Sequence, residues 1–111
     1  MTGLPIDDHL APIYSLGQVA DMLQVQQAFL RRLDEFDVVR PHRSSGGQRR
    51  YSREDISQVQ HVSRMTGEGM TLVAIRRILE LERELAGLRR ELAATRRLLA
   101  RQDGAAGDGP A

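Results

Sequence analysis

The sequence predicts an all-α fold with a small β wing, a winged helix-turn-helix followed by a long coiled-coil dimerisation helix. Three observations predict it. Two short amphipathic patterns flank a brief turn at Gln24-Val25; an Arg-rich segment hinged on Gly46-Gly47 leads into a capped helix; and apolar residues at spacings of three and four run without a slip from Ile78 to Leu99.

The elements follow in order. Ser15 and Gln18 form an S-x-x-Q capping box, and Leu16, Val19, Ala20 and Leu23 then mark one apolar helix face. Val25 is expected to plug the turn. A second helix is expected over about 26–36, burying Leu30, Leu33 and either Phe29 or Phe36, with Gln27, Arg31 and Glu35 on the opposite side. Two short helices joined by a tight turn make a helix-turn-helix, whose second helix enters a major groove. Val38 and Val39 read as a short extended piece before the Gly46-Gly47 turn, where glycine permits positive φ, and Tyr51 falls on the return limb. Ser52 caps a third helix through S-x-x-D, with Ile56, Val59 and Val62 or Met65 facing inward, and Gly67 and Gly69 break it. Thr71 is the expected N-cap of the last helix, which carries Leu72, Ile75, Ile78 and Leu79.

That last helix outreaches its core. Ile78, Leu81, Leu85, Leu88, Leu92, Thr95 and Leu99 occupy successive a and d positions. A helix over 71–101 is about 46 Å long, and a leucine seam of that reach needs a second surface. A second copy of the chain supplies it most simply. The organisation expected is a loose tail over 1–12, a winged helix-turn-helix domain over 13–70, a dimerisation helix over 71–102 and a second loose tail over 103–111.

Composition narrows the function. The chain has 111 residues and no cysteine, which excludes disulfides and thiolate metal sites. No apolar run is long enough for a membrane span or a secretory signal. The net charge of +1 hides an asymmetry: the basic residues are all Arg, and seven of them fall between Arg31 and Arg53 against Asp34, Glu35 and Asp37. Concentrated positive charge of this kind suits a polyanion. His9, His42 and His61 lack ligand spacing, so no metal and no cofactor are expected. Gly46-Gly47 is not followed by G-K-[ST], so it reads as a turn and not as a nucleotide loop. No paired acids, nucleophile or base suggest catalysis.

The order of these pieces resembles the MerR family of transcriptional regulators across residues 13–101. The resemblance is carried by Ile13-Tyr14-Ser15-Leu16-Gly17-Gln18-Val19-Ala20, by Leu30-Arg31-x-x-Asp34, by Gly47-Gln48-Arg49-Arg50-Tyr51-Ser52 with Asp55-Ile56, and by Gly69-Met70-Thr71-Leu72-x-x-Ile75. Gly46-Gly47-x-Arg49-Arg50-Tyr51-Ser52 and Arg76-Arg77-Ile78-Leu79-Glu80-Leu81 are most similar to the heat-shock repressor (HspR-like) branch. The resemblance implies a dimer that binds an inverted repeat, in some cases with a chaperone as co-repressor. It also implies an antiparallel coil, whereas Glu84 and Glu91 would pair with Arg89 and Arg96 across a parallel one.

Departures from the family pattern fall in the second helix. The family reads V-S-x-R-T-L-R-Y-Y-E; this chain reads Val25-Gln26-Gln27-Ala28-Phe29-Leu30-Arg31-Arg32-Leu33-Asp34. Ala28 stands at an Arg position, Arg32 and Leu33 at aromatic ones, Gln48 at the wing's aromatic and Asp37 at the glycine ending the helix. Ser15, Arg43, Arg49, Arg50 and Tyr51 are assigned to phosphates, which fix affinity and register. Gln26, Gln27, Arg31 and Arg32 are the candidates for base edges, Gln suiting adenine and Arg suiting guanine. The plainer alternative pairs Arg31 or Arg32 with Asp34 or Glu35 on a solvated face.

The functional expectation is a cytoplasmic, nucleoid-associated homodimer that binds double-stranded DNA site-specifically and represses transcription. Two other readings remain open: an interaction module for a chaperone or another regulator, and a cooperative nucleoid-type DNA binder with little base preference.

Overall fold

The computed structural model describes residues 8–107. Its elements are β1 (Tyr14–Ser15), α1 (Leu16–Leu23), α2 (Gln27–Glu35), β2 (His42–Arg43), β3 (Arg49–Tyr51), α3 (Arg53–Gly67) and α4 (Leu72–Gly107). They fall into two units divided between Arg77 and Ile78, within α4.

In the first unit each helix end has an identifiable cause. The Ser15 hydroxyl accepts from the Gln18 amide at 3.2 Å, and the Gln18 side chain accepts from the Ser15 amide at 2.8 Å, so the expected capping box forms. Helix α1 stops at Gln24, which takes the left-handed conformation at φ 56°, and the Val25 amide closes back on the Ala20 carbonyl at 3.0 Å. Helix α2 ends in a Schellman motif: the Val38 amide donates to the Leu33 carbonyl at 2.8 Å and Asp37 to Asp34 at 3.1 Å. Asp37 sits at φ 57°, in the left-handed conformation that closes the motif. The same device closes α3. Gly69, at φ 89°, donates to Thr66, and Met70 donates to Met65. Gly67 remains helical, so Gly69 alone makes that break.

The core of this unit contains Val19, Leu30, Leu33, Val59, Val62 and Ile75, each no more than 1% exposed. Both Val62 and Met65 face inward from α3, while Phe29 is half-buried and Phe36 lies at the surface. The Ser52 hydroxyl and the Asp55 carboxylate form the second capping box, at 3.0 and 2.9 Å. Thr71 caps α4 by accepting from the Ala74 amide at 3.2 Å.

The wing is a three-stranded antiparallel sheet of order β1-β3-β2. One expectation is corrected here. Val38 and Val39 are buried, but they do not form the extended limb. Both amides donate to the Leu33 carbonyl, which commits them to the helix end, and the strand begins only at His42. Strand β1 has no counterpart in the sequence reading, because two residues cannot display an alternation.

The chain ends also differ from the expected tails. The His9 carbonyl accepts from the Glu54 amide at 2.9 Å, so the segment from Asp8 is docked on the first turn of α3. Residues 1–7 lie outside the described ones. At the other end α4 continues past the expected limit at 102 to Gly107, since alanine sustains the helix beyond Asp103; residues 108–111 again lie outside.

The second unit is the part of α4 from Ile78 onward. Within it Leu81, Leu85, Leu88, Leu92 and Leu99 are between 45 and 62% exposed.

Candidate nucleic-acid interface

The wing turn is built from backbone bonds. The Ser44 carbonyl accepts from Gly47 at 2.9 Å, the Ser44 amide donates to Gln48 at 2.8 Å, and Gly47 takes φ 81°. A side chain at Gly47 would be strained in that left-handed conformation. The Ser44 hydroxyl also accepts from the Gln48 amide at 3.1 Å, which tightens the loop.

Side chains alternate across β3, and pairs directly opposite share a face. Arg50 lies opposite Ser15 on one side and His42 on the other, so these three share one face of the sheet. Arg49, paired with Arg43, shares the other face with Tyr51. The five residues assigned to phosphates therefore divide between two faces. Strand β1 brings Ser15 beside Arg50, an adjacency that the sequence could not display.

The second face meets α2 through one carboxylate. Asp34 Oδ2 accepts from Arg49 Nε at 2.8 Å and from Arg43 Nη2 at 2.9 Å, and the Asp34 side chain is only 14% exposed. Two wing arginines are thus tied to the second helix of the helix-turn-helix. Asp34 was legible only as a local partner of its helix neighbours. Its actual partners lie 9 and 15 residues away.

Tyr51 is 1% exposed, and its hydroxyl has no hydrogen-bond partner among the described residues. Burial pushes its pKa up to about 12; the Arg49 charge opposes the shift and the Asp34 and Asp55 carboxylates add to it. Tyr51 therefore lies beneath the wing as packing, and its assignment to a phosphate is corrected on that ground. Burial withholds the ring and the hydroxyl alike from a ligand at the surface.

The base-edge candidates stand on exposed positions of α2 and its N-cap. Arg31 Nη2 donates to Gln27 Oε1 at 3.4 Å, a long bond along one helix face that leaves both ends accessible. Among the described residues Arg32 makes no ion pair or hydrogen bond from its side chain, so the alternative that pairs Arg31 or Arg32 with Asp34 or Glu35 is not realised there. Gln26 is the N-cap of α2 but gives it no side-chain hydrogen bond. Among the described residues no cluster of His, Cys, Asp or Glu is placed to hold a metal ion, and no helix is long and apolar enough to cross a membrane.

A helix-turn-helix with a basic three-stranded wing and a long helix after it defines a class of regulatory protein. The MerR HTH family regulatory protein model matches residues 14–82, more than half of the chain. The chain belongs to the MerR family, whose members are transcriptional regulators and not enzymes. It is 36% identical over 96 residues to a putative heat shock protein HspR of Streptomyces coelicolor, covering 86% of this chain and 62% of that protein. The chain thus spans less than two thirds of that relative's length. Among solved structures it is similar to a MerR-family transcriptional regulator from Bacillus cereus, at 26% identity and TM-score 0.57, covering 85% of this chain and 72% of the other. A likeness of fold extends to HiNmlR, a MerR family regulator lacking the sensor domain and bound to promoter DNA, at 20% identity and TM-score 0.56, covering 86% and 94%.

Proposed function

We propose that this chain is a site-specific DNA-binding repressor that acts as a homodimer on an inverted repeat. Helix α2 reads base edges in the major groove through Gln26, Gln27, Arg31 and Arg32. The wing grips flanking phosphates through Arg43, Arg49 and Arg50, with Ser15 beside Arg50 as a further donor. The observation that carries the reading is the Asp34 carboxylate of α2 holding Arg43 and Arg49 of the wing. Such a tie keeps the reading helix and the phosphate-gripping hairpin in one frame, and register on DNA depends on that. The seam of half-buried Ile78 and exposed Leu81, Leu85, Leu88, Leu92 and Leu99 is the dimerisation surface, and an antiparallel coil is the arrangement proposed.

One observation favours a second reading, a module that binds a chaperone or another regulator. Arg43 and Arg49 are partly neutralised by Asp34, which leaves Arg50 to face phosphates without an acidic partner among the described residues. The likeness to a protein named as a heat shock protein points to a chaperone as the first partner to try.

The deciding experiment is fluorescence anisotropy on DNA from upstream of the protein's own gene, against scrambled DNA, over a range of salt. Tight binding with strong preference for the native fragment is expected. Equal binding to both would replace the repressor by a nucleoid-type binder, and no binding to either would move the function to protein partners.

A further inference from the structure

The side of α2 that departs from the family pattern is also the side that opens a cavity. A groove of about 420 Å³ lies between α2 and α3, lined by Val25, Gln26, Ala28, Phe29 and Arg32 on one side and by Ser63 and Thr66 on the other. That volume falls within the ~300–1,000 Å³ typical of small-molecule sites. Gln26, Ala28, Phe29 and Arg32 stand where the pattern has Ser, Arg, Thr and Tyr. Ala28 leaves the groove open beside Phe29, and Arg32 puts a cation on its wall.

We propose that this groove is a binding site for a small amphipathic anion, an organic carboxylate with an apolar body, whose occupancy excludes DNA from α2. Charge selects the anion. The Arg32 side chain has no partner among the described residues, and no acidic residue lines the groove. Helix α2 also begins without a side-chain cap, so its first amides add positive potential at the Gln26 end of the groove, while Arg32 stands in the last turn. Phe29, Val25 and Ala28 offer the surface for the apolar body. Ser63 supplies the polar need: its hydroxyl is buried without a partner among the described residues, while its carbonyl is taken by the Thr66 hydroxyl at 2.9 Å. An acceptor on the ligand would satisfy that hydroxyl.

Exclusion of DNA follows from shared residues. Gln26 and Arg32 line the groove and are also two of the four base-edge candidates, so a carboxylate on Arg32 withdraws it from guanine. This half of the proposal rests on the DNA-binding reading. The ligand site itself does not.

The probe is 2-naphthoate, with neutral 2-naphthamide as its control, titrated into the ¹⁵N-labelled full chain. Naphthoate should shift the amides of Val25 to Arg32, Ser63 and Thr66, and naphthamide should do so far less. Arg32→Gln should weaken naphthoate by about tenfold, the loss expected for one charge-assisted hydrogen bond. Ala28→Arg, which refills the groove, should abolish the shifts without unfolding the protein, since position 28 is exposed. Shifts confined to other surfaces, an equal response to naphthamide, or no effect of Arg32→Gln would each overturn the site. In the anisotropy assay naphthoate should release wild-type protein from its DNA and release Arg32→Gln less. Groove shifts without release would overturn exclusion while leaving the site standing. Groove shifts in a protein that binds no DNA would overturn the proposed repressor and the exclusion together, and establish the ligand site alone.

Discussion

The two units of this chain solve the same problem in opposite ways. The unit ending at Arg77 encloses an apolar core, with Leu30, Leu33, Val59, Val62 and Ile75 all at or below 1% exposure. The unit beginning at Ile78 leaves a row of five leucines at least 45% exposed. Its sequence is rich in Leu, Glu, Arg and Ala, so the helix is favoured residue by residue, but a helix of this kind gains most of its stability by packing its apolar face. The first unit buries an apolar core within itself, and the second leaves an apolar row exposed.

The comparison breaks most readily at Leu88, 62% exposed in the middle of the seam. Leu88→Asp should raise the dimer dissociation constant by ~10²-fold or more, since a buried leucine contributes ~1.5–3 kcal/mol and a symmetric dimer loses two. Analytical ultracentrifugation measures this, and thermal unfolding of the first unit's core should change little. On DNA the variant should lose more affinity for two half-sites than for one. An unchanged dimer would remove the seam from the interface.

Asp34→Asn tests the self-contained unit. Losing the carboxylate between two arginines should cost ~1–3 kcal/mol of stability in urea titration. It should also free Arg43 and Arg49 for indiscriminate phosphate contact, steepening the salt dependence of binding to scrambled DNA by about one to two units. An unchanged slope would mean that Asp34 does not restrain the two arginines, and would remove the tie from the proposed register on DNA.

Arg31→Ala sharpens the role of α2. It should cost ~1–3 kcal/mol on the preferred operator and little on scrambled DNA. Equal loss on both would make Arg31 a phosphate ligand.

The smallest effect is expected at Tyr51. Its phenol is pushed up to about 12 from the ordinary value of 10.0. Below about pH 10 both folded and unfolded chains hold this proton, and its contribution to stability is complete. Between about 10 and 12 the unfolded chain releases the proton first, so stability falls as pH rises. Tyr51→Phe should remove that part of the alkaline loss. It should change neutral-pH stability little, because the buried hydroxyl has no hydrogen bond to lose.

Local chemistry was legible wherever neighbours in sequence decide it. The two capping boxes at Ser15 and Ser52, the left-handed stop at Asp37, the glycine turn of the wing and the seam spacing from Ile78 to Leu99 all involve residues within one or two turns of each other. The failures involve distance. Val38 and Val39 look like a strand by propensity, yet the Leu33 carbonyl captures their amides. Tyr51 looks like a ligand residue on a basic strand, yet alternation turns it inward. The partners of Asp34 and the pairing of β1 depend on contacts that no window along the chain contains.

By itself, the sequence determined the order of the helices, their caps, the basic wing and the apolar seam, because periodicity, capping and turn chemistry act over a few residues. The tertiary structure alone decided which arginines share a carboxylate, which face of β3 is buried, and that α2 and α3 leave a groove beside Arg32. Those outcomes depend on how separate elements pack, where a residue's neighbours are set by the fold and not by the chain.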